Sequence, residues 1–149
     1  MGVLEWARRS VPMMEHPSFG PLRASERGDG GPWLWEALDL HDTPRGEADL
    51  GFEAGSTGPG PSHAAQLDEI VADLDRLTAA AAPMIDVKLG GWLERSLGND
   101  PWSELEWQGA RVTGRTGEFQ LHYSCRSWPD ALVTVAFEDC RPVGVQIDD

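Results

Sequence analysis

The stretch Val133–Asp149, "VTVAFEDCRPVGVQIDD", decides the fold. Val133, Val135 and Phe137 alternate with Thr134 and Ala136, and Val143, Val145 and Ile147 alternate with Gly144 and Gln146. A period of two on each side of a polar, proline-containing break marks two antiparallel strands joined by a turn. Glu138 and Asp139 then belong to the connection, and Asp148 and Asp149 to a solvated strand end. These four carboxylates are scaffold rather than a site.

Upstream, "EFQLHYSC" (118–125) sets Phe119, Leu121, Tyr123 and Cys125 on one face and Gln120, His122 and Ser124 on the other. "SELEWQG" (103–109) and "ARVTGRTG" (110–117) extend the β-rich region, punctuated by glycine and other turn formers. If 118–125 pairs with "ALVTVAF" (131–137) through a turn near Trp128 and Pro129, Cys125 and Cys140 fall at opposite ends of the ribbon. A strand of about six residues separates them by roughly 20 Å, outside disulfide reach, so both are expected as free thiols.

Before this region lies "GSTGPGPS" (55–62), a glycine- and proline-rich break, and then a helix with Ser62 as candidate N-cap. Leu67, Ile70, Val71, Leu74 and Leu77 form one stripe of a 3.6-residue helix, with Asp68, Glu69 and Asp73 on the other side. Pro83 is expected to interrupt it, because proline in a helix interior loses a backbone hydrogen bond. Ile85, Leu89, Trp92, Leu93 and Leu97 continue at helical spacing to a stop at "GND" (98–100), with Trp92 in the core. Three short strands precede the helices: "FGPLRAS" (19–25), "PWLWEALDL" (32–40) and "ADLGFEA" (48–54), the first two joined through "ERGDGG" (26–31). In the second, Leu34, Glu36, Leu38 and Leu40 share a face, and Trp33 and Trp35 share the other.

The expected fold is therefore α+β: an antiparallel sheet with a two-helix or single bent-helix layer on one face, in the order β-β-β-α-α-β-β-β. Residues 15–149 are expected to form a single domain and residues 1–14 an N-terminal extension. That N-terminus lacks the apolar stretch of a signal peptide and no run reaches membrane-spanning length, which points to a cytoplasmic protein.

The chain carries 12 Lys and Arg against 25 Asp and Glu, a net charge of −13. A field of that sign repels phosphate backbones and anionic lipid, which argues against nucleic acid and membrane partners, and it accelerates encounter with a basic protein. No phosphate loop, nucleophile elbow, zinc pair or calcium loop occurs. Asp39, His41 and Asp42 could join a distant His122 at a divalent metal, but a strand end before a proline turn has the same composition, and no metal or cofactor is assigned. Glu104 and Glu106 flank Leu105 with the spacing of a carboxylate pair, which strand alternation alone also explains.

"HPSFGPL" (16–22), a tryptophan-bearing strand, the glycine/proline break, the "AAQLDEIVADLDRL" (64–77) helix and the terminal hairpin together resemble a group of small bacterial domains of unknown function. The resemblance implies an immunity-type role beside secreted toxins for some members and carries over no catalytic residues. Two roles follow. The first is a non-enzymatic binding protein, an acidic inhibitor of a basic toxin or effector, anchored by Trp102, Trp107 and Trp128 and steered by Glu104, Glu106, Asp68, Glu69 and Asp73. The second is a small-molecule-binding domain or enzyme with a pocket between helices and sheet, using His41, His122 or the Glu104/Glu106 pair. The binding role ranks first.

Overall fold

The structure is a computed structural model that describes residues 12–25, 31–93, 96–98 and 100–149. Five strands come first: β1 (Met13–His16), β2 (Gly20–Ser25), β3 (Trp33–Ala37), β4 (His41–Thr43) and β5 (Gly46–Ala54). Helices α1 (Pro61–Ala72) and α2 (Leu74–Leu89) follow, then a short 3-10 turn (Pro101–Ser103). Four strands end the chain: β6 (Leu105–Val112), β7 (Phe119–Cys125), β8 (Leu132–Glu138) and β9 (Arg141–Asp148). They form one sheet in the order β1-β2-β3-β5-β6-β7-β8-β9, with β4 folded back on β5.

The terminal hairpin forms as its alternation requires, with Val133 opposite Ile147 and Val135 opposite Val145. Asp139 and Cys140 turn the corner with φ of 53° and 58°, the left-handed pair that a two-residue hairpin turn demands. Cys140 is exposed at this tip and Cys125 is buried in β7, both as free thiols. Met13 and Met14, assigned from the sequence to the extension, open strand β1, while residues 1–11 and the 26–30 connection lie outside the described residues.

The sheet is mixed rather than purely antiparallel. β5 and β6 run parallel, Asp49 opposite Gly109 and Phe52 opposite Val112. Parallel neighbours need a long crossover, and the two helices supply it. The two segments 103–109 and 110–117 do not form separate strands. They merge into β6, whose register shifts between Trp107 and Gly109, so Gln108 is the extra residue of a bulge and Gly109, paired with His122, is not a turn.

The helices meet at Asp73, not Pro83. Asp73 has φ −105° and ψ 11°, while Pro83 lies inside α2 on its exposed side, where water can solvate the carbonyl it frees. Gly60, rather than Ser62, caps α1, with Pro61 in the first turn, and its N–H donates to His63 Nδ1 at 3.1 Å. The helical segment expected to run to residue 97 ends at Leu89, so Trp92 leaves the core and is 67% exposed.

Leu67, Ile70, Leu74 and Leu77 are buried, and each such side chain contributes about 1.5–3 kcal/mol. They pack with Leu50, Phe52, Val112, Leu121, Tyr123, Val133 and Val135 in one core on the helical side. Within it Gln66 spends its amide on the β6–β7 turn. Its Oε1 accepts from the N–H groups of Thr113 and Gly114, and its Nε2 donates to the carbonyls of Arg115 and Glu118. The helices cover this side of the sheet, and strand alternation sends the remaining residues to the opposite side, which is left uncovered among the described residues.

Candidate functional site

On the uncovered side the central strands contribute Leu34 and Glu36 from β3, Asp49 and Gly51 from β5, Arg111 from β6, and Gln120 and His122 from β7. Gly51 has no side chain to fill the middle, and a hollow of about 630 Å³ opens there. Its rim carries Leu38, Leu40 and Leu132, which are 46%, 58% and 40% exposed. They are three of the seven large apolar side chains exposed among the described residues, and they converge on one concavity.

The charges around the hollow do not balance. Arg23 pairs with Glu36 at 4.0 Å, and the Arg111 guanidinium faces Glu53 at 3.6 Å. Among the described residues Asp39 and Asp49, which also line it, have no cation within 4.0 Å, so two carboxylates are left over. The buried Arg111 Nε is the atom that faces Glu53, and at 3.6 Å it makes an ion pair without a hydrogen bond. His122 Nδ1 lies 3.1 Å from Thr134 Oγ1. Burial pushes the His122 pKa down and Arg111 pushes it further, with Asp49 opposing both. The hollow thus offers carboxylate acceptors and aliphatic walls.

Of the partner-binding residues expected from the sequence, Trp102, Glu106 and Trp107 line a second hollow of about 420 Å³ together with Arg45 and Arg126. Glu104 is 3% exposed, and its carboxylate accepts from the Ser127 N–H at 3.2 Å and the Ser127 hydroxyl at 2.7 Å. Glu106 is exposed and held by Arg126 at 2.6 Å. The two carboxylates therefore serve a loop and an ion pair, not a shared proton. Trp107 is 7% exposed beside Leu105 in the core, with its indole N–H unpartnered, and meets the second hollow only along its lining.

Trp102 is half-buried. Its indole N–H donates to Asp75 at 2.9 Å, and Arg45 lies 4.8 Å above its ring. Trp128 stacks on Trp92 at 5.1 Å. Asp68 and Glu69 are exposed on α1, and Asp73 pairs with Arg76 at 2.8 Å. His41 meets the ring of Phe19 edge-on at 5.7 Å and is not part of the hollow, which receives Asp39 and His122 from the metal cluster considered above. Among the described residues no three His, Cys, Asp or Glu side chains gather as metal ligands.

The hollow lies on the face of the sheet away from the helices, not between helices and sheet. Sequence reasoning missed Asp49, Gly51, Arg111 and Leu132. One usable signal was the shared face of Leu34, Glu36, Leu38 and Leu40, of which Leu38 and Leu40 remain in solvent. Among the described residues no helix is long and apolar enough to cross a membrane. Comparison with protein-family models, curated proteins and solved structures finds no match to this chain.

Proposed function

We propose that this chain is a non-enzymatic binding protein that captures a basic protein partner on the uncovered face of its sheet. One observation carries the reading: Leu38, Leu40 and Leu132 surround a concavity whose unbalanced charges are the carboxylates of Asp39 and Asp49. Exposed apolar side chains gathered around charged and polar groups on one concave surface are what a protein partner can bury. The net charge of −13 adds long-range attraction for a basic surface. A basic toxin or effector, neutralised by an immunity-type inhibitor in the cytoplasm, is the partnership that the resemblance to small bacterial domains favours.

The test is capture of a basic protein by the immobilised chain, repeated with the double variant Leu40→Arg/Leu132→Arg and with Asp68→Asn/Glu69→Gln on α1. Binding should vanish in the first and persist in the second. The association rate should also fall as salt rises from about 0.01 M to about 1 M, because the screening length shrinks from roughly 30 Å to 3 Å. A partner indifferent to the face variant would refute the reading.

The contact of His122 with Thr134 beside the hollow favours a second reading, a small-molecule site in the same place. It requires a low-molecular-weight compound that binds the free chain and competes there, which a shape-matched ligand screen by thermal shift would reveal.

A further inference from the structure

Resting on that reading, we infer that the hollow takes up one lysine or arginine side chain of the partner and that Asp49 receives its cationic head. Gly51 leaves the floor open: a Cβ built there meets the Leu34 methyl at 3.5 Å and otherwise only the edge of the Trp35 carbonyl. Around that floor stand Leu34, Leu38, Leu40 and Leu132, walls suited to the four-carbon stem of lysine or the shorter stem of arginine.

Charge selects the head. Arg23 and Arg111 each face a carboxylate, Glu36 and Glu53 respectively, whereas among the described residues Asp49 has no cation within 4.0 Å, so a cation entering the hollow meets an unpaired acceptor. An anion would instead meet Asp39 and Asp49 in a chain of net charge −13.

The probe is a short oligolysine peptide blocked at both ends, followed through backbone amide shifts of the full chain. Oligo-diaminobutyrate has the same charge on a stem two carbons shorter and serves as the control for reach. Asp49 is exposed and contributes only backbone to the β5–β6 pairing, so Asp49→Asn leaves the fold intact. We expect saturable shifts at Gly51 and Gly109, affinity about tenfold lower in Asp49→Asn, and a similar loss with diaminobutyrate. Asp68→Asn on α1 should change affinity by less than about twofold.

Equal, small losses in Asp49→Asn and Asp68→Asn would overturn the inference, as would equal binding of the two peptides. Shifts at Gly51 and Gly109 that survive Asp49→Asn would leave the uncovered face as the docking surface while removing Asp49 as its hook. Shifts confined to α1 would instead remove the docking surface itself.

Discussion

Gly109 and Asp49 are opposite one another across the parallel β5–β6 pair, and the backbones approach so closely that a Cβ on Gly109 would collide with the Asp49 carbonyl oxygen. The contact fixes where the two halves of the sheet join, and it places Asp49 at the hollow. Gly109→Ala must push the strands apart and should destabilise the protein by on the order of 3 kcal/mol or more. Gly51→Ala meets only ordinary contact distances and should stay within about 1 kcal/mol of the parent. Urea denaturation of the two variants measures the contrast.

The Thr78 hydroxyl lies 2.8 Å from the Tyr123 hydroxyl, and both residues are buried. Tyr123→Phe or Thr78→Val leaves one hydroxyl unpartnered and should cost about 1–3 kcal/mol. The double variant should cost less than the sum of the two, with a coupling of roughly 0.5–3 kcal/mol in a double-mutant cycle.

Burial also pushes the Tyr123 pKa well up, the hydrogen bond to Thr78 only partly offsetting it. The unfolded tyrosine releases its proton near pH 10 while the folded one keeps it. This contribution to stability is therefore complete below about pH 10 and falls as pH rises above it. Alkaline unfolding of Tyr123→Phe should lack this component.

His122 gives the opposite sign at the acid end. Its folded pKa is lowered, so on acidification the unfolded chain binds the proton first, beginning near pH 6.5. Stability should be full above that pH and decline as pH falls from there through the lower folded pKa. In His122→Gln this part of the acid slope should disappear, as thermal unfolding at a series of pH values would reveal.

Gln66→Leu removes the amide that holds the β6–β7 turn. It leaves the N–H groups of Thr113 and Gly114 and the carbonyls of Arg115 and Glu118 to find water or go unpaired. A loss of about 2–4 kcal/mol is expected, with hydrogen exchange at Thr113 and Gly114 accelerating ahead of the core.

The elements legible in the sequence were those written in a local period. Val133–Ile147 alternate for a hairpin, and Leu67–Leu77 recur for a helix, because each pattern is set by the geometry of its own segment. Strand direction carries no such mark. Period two is the same in parallel and antiparallel strands, so the β5–β6 pair could not be read from either strand alone. Pro83 misled because its local penalty is tolerated on an exposed helix face.

The site was harder still to read. Glu104 resembles any surface glutamate until the Ser127 loop closes over it, and the hollow exists only once Gly51 on β5 is brought beside Arg111 on β6. Leu38 and Leu40 share the strand period of Leu34 and Glu36, and among the described residues nothing covers them.

The most direct test of the uncovered face is relaxation of the Leu38, Leu40 and Leu132 methyl groups by a soluble paramagnetic agent, free and with a basic partner bound. The agent should broaden all three methyls in the free chain, and a bound partner should shield them while the exposed side of α1 around Asp68 and Glu69 stays accessible. Methyls already shielded in the free chain, or protection that falls on α1 instead, would contradict the account.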